Sequence, residues 1–399
     1  MENINIVLSI VLVFCILVNF RIKSQHYFFI NLFNFMNSLG IILYSFGLKY
    51  YKIPSNNAIT IALLTFITLN IAYIFYSKLP KLVVQFNEKS GKLTKKKKYY
   101  FVFFVIPPLM YFLVFRGGFS LYQMLTGVLV SESSRADVSG SLPKYYTFSV
   151  FVTSLGIPYM IEMFKNTKGK LKMTFLGFLV FFSLLLGNKS TILAIVFFLY
   201  LYNSKNFRIN LSLRKIVGFS VIFILVYSGV KFAYGSTNNL SSMIESIFRR
   251  VIMINASLYG NFIDYFVINS GTIPDGFAHI KQFMFYYIYG YLPGGASVNY
   301  LASIIRYIGF GVVQLFVVFF SVLYVMYFRD LVMRVKLNHF REAVNFLNFY
   351  GAIILVNGYL SDYLIRVLLP IIFFIVIDKL TLRKSNLIKH DTKGWANDF

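Results

Sequence analysis

Five cations and one imidazole stand apart from the lysine-rich segments of this chain: Arg135, Lys189, Arg249, Arg250, Arg306 and His279. A guanidinium presents a planar fork of donors that fits phosphate or carboxylate, whereas an ammonium is a compact point charge. An imidazole near neutrality accepts a proton from an attacking hydroxyl. Asp264 is the alternative base, and Glu245 and Asp275 are further carboxylates in the same region. Each residue also has a simpler reading. Arg135, in "SESSRADVSG", can pair with Glu132 or Asp137, a contact worth little. Arg249 and Arg250, in "LSSMIESIFRRVIMINASLYGNFIDYFV", can touch lipid headgroups. Adjacent residues on a helix face different ways, so one can do so while the other turns inward. His279, in "PDGFAHIKQF", can be an idle interfacial side chain.

What positions these groups follows from composition. Of the 399 residues 58% are apolar and 13% are charged, against roughly 25% charged in soluble domains. The chain holds 46 Phe and 30 Tyr, more apolar surface than a soluble fold could hide. Long apolar runs recur throughout, which predicts an all-α, polytopic integral membrane protein forming a single membrane domain over 1–399. Eleven spans are expected, at about 3–20, 27–47, 57–77, 99–115, 145–164, 173–187, 191–203, 216–233, 308–328, 343–360 and 363–378. The first reads as a retained helix, because Glu2 precedes it and Arg21 and Lys23 follow it. The single cysteine, Cys15, rules out a disulfide within the chain.

Orientation follows from Lys and Arg in the connections. Segments 21–26, 78–98, 165–172, 204–215, 329–341 and 379–399 hold 27 of the 39 basic residues. These alternate connections are expected to be cytoplasmic, with the N-terminus outside and the C-terminus inside. The bias explains the net charge of +25 without nucleic acid, and no aromatic-interleaved basic patch lies in a soluble region. Two long connections, 116–144 and 234–307, fall on the outer side and would form an active-site cap.

The stretch "FFSLLLGNKSTILAIVFF" needs a separate argument. As one helix, Met173–Asn203 would measure roughly 46 Å, too long for a hydrocarbon core of about 30 Å. Basic segments flank it on both sides, so the number of crossings is even. A hairpin of two short helices follows, with Asn188, Lys189 and Ser190 at its outer tip. Lys189 then snorkels to headgroups, caps a neighbouring helix, or holds a phosphate.

In the long outer segment, Ile244, Ile247, Val251 and Ile254 recur at helical spacing, a pattern suited to a helix lying in the membrane interface. "FAHIKQFMFYYIYGYLPGG" would lie against lipid or re-enter slightly. Arg366 follows Asp362 by four residues, which permits a structural intrahelical pair. There is no metal-ligand spacing, no zincin motif, no phosphate-binding glycine loop and no Asp-x-Asp.

The number of spans, the Phe/Tyr/Lys-rich composition, the two enlarged outer loops with arginines and the late segment "GGASVNYLASIIRYIGFGVVQ" together resemble the Wzy-type polymerases of bacterial O-antigen and capsule repeat units. "GNKSTILAIVFF" is similar to the Gly-(x)-Arg/Lys-Ser/Thr hairpin of the wider polymerase and O-antigen ligase superfamily, with Lys189 where arginine is commoner. The resemblance implies a metal- and cofactor-independent glycosyltransferase on the outer face of the bacterial inner membrane. A glycan on undecaprenyl pyrophosphate is the donor and a hydroxyl of a fresh lipid-linked repeat unit attacks it. Carried over by position, Arg135, Lys189, Arg249, Arg250 and Arg306 would surround the pyrophosphate, and His279 would be the base. Membrane lipids and a chain-length regulator are the implied partners. Fixed cations would stabilise the charge that grows on the leaving group, and Tyr and Phe faces would stack on sugar rings. The rivals are an O-antigen ligase-like transferase, a lipid-linked oligosaccharide flippase or other transporter, and a membrane acyltransferase.

Overall fold

The computed structural model describes residues 2–21, 28–48, 51–79, 96–126, 142–186, 189–200, 202–203, 208–209, 218, 221, 245, 248–277, 280–291, 298–335, 337, 339–358 and 360–380. Within them the regular secondary structure is helical apart from a short antiparallel pairing of Tyr202–Asn203 with Arg208–Ile209. Five helices are long and apolar enough to cross a membrane: Asn56–Lys78, Tyr100–Gly118, Tyr145–Asn166, Val312–Val332 and Leu360–Leu380. A shorter apolar helix covers Asn3–Asn19. These helices are compatible with a membrane protein. The expected eighth span, 216–233, lies outside the described residues except for Gly218 and Val221.

The helices are α1 (Glu2–Arg21), α2 (Phe28–Ser45), α3 (Asn56–Lys78), α4 (Lys96–Phe104), α5 (Ile106–Phe115), α6 (Tyr145–Asn166), α7 (Lys170–Leu186) and α8 (Lys189–Tyr200). After them come α9 (Ile254–Ile263), α10 (Ile280–Tyr289), α11 (Tyr300–Ile308), α12 (Val312–Arg334), α13 (Arg341–Asn357) and α14 (Leu360–Leu380). Local chemistry sets several boundaries. Ser55 caps α3, its hydroxyl accepting from the Ala58 amide at 3.2 Å, and Pro80 follows the helix. Two π-helical turns, Val152–Gly156 and Leu364–Leu368, each end two residues before a proline, Pro158 and Pro370. Proline has no N–H and its ring crowds the carbonyl four residues earlier, and widening the preceding turn relieves that contact.

Side-chain contacts fix which helix ends meet. Asn5 donates to the Asn56 carbonyl at 3.2 Å, and the Ser9 and Ser45 hydroxyls are 2.7 Å apart. The start of α1, the end of α2 and the start of α3 therefore share one end of the bundle, called here the Ser55 end. At the opposite, Lys78 end, the Tyr76 hydroxyl donates to Asp330 at 2.7 Å. There Lys165 also pairs with Glu342 at 3.2 Å, and the His339 amide donates to Asp378 at 2.8 Å. Helices α1, α3, α6, α8, α12 and α14 run from the Ser55 end to the Lys78 end, and α2, α4–α5, α7 and α13 run back.

The 173–203 region forms the expected antiparallel pair. Leu186, closing α7, accepts from the Tyr145 hydroxyl at 3.3 Å, while Phe198, near the end of α8, lies under the Lys165 ammonium at 4.4 Å. Lys189 is the first residue of α8, not part of a turn between the helices, so the tip is shorter than the sequence suggested.

The 240–267 segment corrects an expectation. Instead of an interfacial helix with one apolar face, residues 256–263 are buried on every side. Small residues allow this close approach. A Cβ on Gly40 of α2 would lie 2.5 Å from both the Ile252 carbonyl oxygen and the Ala256 Cβ. A Cβ on Gly260 would lie 2.4 Å from Pro54 Cγ. Gly40→Ala is therefore expected to cost about 1–3 kcal/mol through overpacking and to lower the thermal midpoint of the detergent-purified protein. Gly177→Ala, in α7 with open space around it, should leave that midpoint unchanged or raise it, the gain in stability being up to about 1 kcal/mol.

Candidate functional site

The Ser55 end gathers charge and aromatic surface from segments far apart in sequence. Asp264 opens a π-helical turn, Asp264–Ile268, that follows α9. Its carboxylate accepts from the Ser55 amide at 2.6 Å and from the Ser55 hydroxyl. That hydroxyl also accepts from Ala58, so Asp264 locks the cap of α3 and fixes the end of α9. Ser257 and Asn261 strengthen this junction by donating to the Lys52 carbonyl at 2.9 and 2.8 Å. With both oxygens engaged, Asp264 is a structural fastening and is poorly placed to act as the alternative base.

Arg306, near the end of α11, stacks on Phe266 at 4.6 Å and approaches the Tyr307 ring at 5.8 Å. Lys52 lies over Tyr287 at 3.2 Å. Around them run ring contacts among Tyr265, Phe266, Phe283 and Tyr287, with centroids 4.7–6.0 Å apart. Tyr51 meets Tyr289 edge-on at 5.6 Å. Phe277 and residues 280–291 thus pack on the π turn and on Tyr51 and Lys52 before α3, and only part of this surface faces outward.

The strongest charged contact at this end is one the sequence half disclosed. Asp362, 7% exposed, receives the Lys281 ammonium at 2.6 Å and lies 3.8 Å from Arg366 Nε. The expected Asp362–Arg366 pair is present, though too long for a hydrogen bond. Lys281 is the closer partner, and it comes from 81 residues away. Arg366 also lies over the Tyr146 ring at 5.3 Å. One carboxylate therefore joins α10, α14 and the start of α6.

Arg249 sits in a further π turn, Arg249–Met253, and pairs with Glu245 at 2.5 Å, both side chains being close to half exposed. That pairing occupies one of the alternative carboxylates. Arg135 and His279 lie outside the described residues, as do the side chains of Lys189 and Arg250. Of the proposed site residues, Arg306 and Asp264 share the Ser55 end through the Asp264–Ile268 turn. Sequence reasoning missed Lys281 and Lys52. The available signal was a lysine inside an aromatic segment, since an ammonium there needs a carboxylate or a ring face.

Arg329 corrects another expectation. The sequence reading placed it in a cytoplasmic connection, but α12 continues to Arg334 and Arg329 is buried inside the bundle. Comparison of the chain with protein-family models, with curated proteins and with solved structures finds no match in any of the three.

Proposed function

We propose that this chain is a membrane glycosyltransferase that extends a lipid-linked glycan, taking the growing chain from undecaprenyl pyrophosphate onto the next repeat unit. The observation that carries the reading is the joining of basic and aromatic side chains at one end of the bundle. Lys52, Lys281, Arg306 and Arg366 come from four separate segments: Lys52 and Arg306 lie over the Tyr287 and Phe266 rings, Arg366 lies over Tyr146, and Lys281, from the aromatic segment itself, reaches Asp362. Cations and ring faces together suit a diphosphate attached to sugars.

In this reading the acceptor hydroxyl attacks the anomeric carbon of the donor, the bond to the pyrophosphate oxygen breaks, and the hydroxyl proton passes to a base. Arg306 is mounted on Phe266, so its guanidinium holds its position without a carboxylate partner among the described residues and is available to a phosphate. Arg249 exchanges Glu245 for the pyrophosphate when the donor arrives. Arg135, Lys189, Arg250 and the base His279 belong to the same proposal on the sequence pattern alone.

Arg306→Gln is expected to reduce chain extension at least tenfold with the amount of protein in the membrane unchanged. Removing a charge-assisted contact to a developing anion costs about 1.5–3 kcal/mol, and each 1.4 kcal/mol is tenfold. Glycan length, read by gel electrophoresis of the surface glycolipid, checks this; normal lengths in Arg306→Gln would remove that residue from the diphosphate site. Deleting the gene separates the rivals. Single repeat units on the surface glycolipid support a polymerase. Long chains stranded on the lipid carrier indicate a ligase, and absence of any repeat outside indicates a transporter.

A further inference from the structure

We infer that one anionic phospholipid binds in a lipid-facing cleft between α5 and α14, with its phosphate on Arg366 and an acyl chain below. The Arg366 side chain is 18% exposed, and no hydrogen bond joins its guanidinium to any described residue. Asp362 gives its close contact, at 2.6 Å, to Lys281 and stays 3.8 Å from Arg366 Nε, beyond hydrogen-bond length. The remaining contact is the Tyr146 ring at 5.3 Å, which attracts the charge but is no strong acceptor. A mostly buried cation with unmet donors is costly. A phosphate supplies both the opposite charge and oxygens that fit the fork.

The guanidinium stands at headgroup height. Tyr146, which it covers, is the second residue of α6 and lies at the Ser55 end. Arg366 itself is ~9 Å along α14 from Leu360. Side chains on a helix lean toward its N-terminus, which for α14 is the Ser55 end. Tyr146 is 54% exposed, so the space beside the pair is open.

The cleft follows from the flank of α6 that each neighbour takes. Tyr111 of α5 stacks on Phe148 at 4.4 Å, while Arg366 of α14 lies over Tyr146. Residues two apart on a helix point about 200° from one another, so α5 and α14 straddle α6. On the floor between them Thr147 is exposed, and Val150 and Phe151 are half-buried. Leu369 and Phe373, both exposed, share the Arg366 side of α14 and form one wall. Toward the Lys78 end the helices close. Phe104, ending α4, meets Tyr159 at 4.9 Å, Phe374 at 5.7 Å and Phe373 at 6.2 Å. Its carbonyl would lie 3.3 Å from a Cβ on Gly156. From Tyr146 to Gly156 is ~15 Å, half of a hydrocarbon core of about 30 Å. The cleft is therefore one leaflet deep, the reach of an acyl chain, and a cation at its mouth matches an anionic head. This site does not rest on the proposed transfer reaction, and its test reads lipid binding alone.

The test uses the full-length protein in an uncharged maltoside detergent, with thermal unfolding followed by circular dichroism. Palmitoyl-oleoyl phosphatidylglycerol in mixed micelles is compared with phosphatidylcholine of the same chains, which has no net charge. Phosphatidylglycerol should raise the unfolding midpoint several degrees further, because a ligand held only by the folded state stabilises it. The extra shift should be lost in Arg366→Gln and kept in Lys168→Gln, which removes an exposed cation at the Lys78 end. Leu369→Trp narrows the cleft from an exposed position and leaves the guanidinium in place. It should reduce the shift, and it keeps the test decisive if Arg366→Gln does not fold. Equal shifts from the two lipids, or a shift undiminished in Arg366→Gln or Leu369→Trp, would overturn the site. Sodium phosphate, compared with sodium chloride at equal ionic strength, should give no such shift. A shift as large as that from phosphatidylglycerol would mean a bare anion site and overturn the lipid assignment.

Discussion

Asp362→Ala is expected to lower the stability of the folded chain by about 3 kcal/mol and to abolish glycan extension. The carboxylate is buried and receives Lys281 at 2.6 Å, with Arg366 at 3.8 Å. Removing it leaves two cations facing each other across α10 and α14. Breaking a buried ion pair from one side costs about 3–5 kcal/mol. The Lys281 side chain is 34% exposed, so water recovers part of that cost. Replacing both partners by apolar groups tests the origin of the loss. Asp362→Leu with Lys281→Met should regain part of the stability, because the Lys281 charge is no longer orphaned, while Arg366 still lacks its carboxylate. Extension should stay low in the double variant if Lys281 also serves the diphosphate. A double variant as unstable as Asp362→Ala would mean that the loss came from packing or from the orphaned Arg366, and not from Lys281.

Glu162→Ala should destabilise by a similar amount, roughly 3 kcal/mol, without any direct effect on the chemistry. Glu162 is 2% exposed at the Lys78 end of α6. Its carboxylate accepts from the amides of Glu342 and Ala343 at 2.7 and 3.3 Å, and from Asn166 at 2.8 Å. The first two are N-terminal amides of α13, whose own cap residue, Phe340, has no side-chain oxygen to offer. A neighbouring helix thus caps α13 in its place, with an anion at the positive end of the helix. Alanine would leave two buried donors without acceptors, each costing about 1–3 kcal/mol. Glu162→Gln, which keeps one acceptor oxygen, should fall between alanine and the native chain. Unfolding midpoints of the three purified proteins check the order.

The helices themselves were legible in the sequence. Runs of apolar residues bounded by Ser55 and Lys78, or by Tyr145 and Asn166, predict elements that the structure reproduces within a few residues. The hairpin of α7 and α8 was also legible, because its length against the bilayer and its basic flanks leave few choices. Hydropathy cannot tell a helix facing lipid from one enclosed by protein, however. Residues 256–263 carry the same mostly apolar side chains in either setting, and their enclosure depends on close contacts at Gly40 and Gly260. Arg329 was assigned to a connection because a charge ordinarily ends an apolar run, whereas here the helix carries it inward.

The candidate site was less legible. The Asp362–Arg366 spacing is visible within one turn of helix. The Lys281 contact joins residues 81 apart and depends on how α10 packs. Asp264 reads in sequence as a free outer carboxylate, yet its role as the fastening of the α3 cap appears only when Ser55 is brought to it.

The proposed function depends above all on the Ser55 end of the bundle facing out of the cell. Single-cysteine labelling of intact cells tests it directly. Cys15, the native cysteine, is buried and should stay silent. A cysteine at exposed Asp275 should react with a membrane-impermeant maleimide in intact cells, and one at exposed Lys168 only after permeabilisation. Labelling at position 168 with protection at 275 would put these cations in the cytosol and contradict an outer-face transferase.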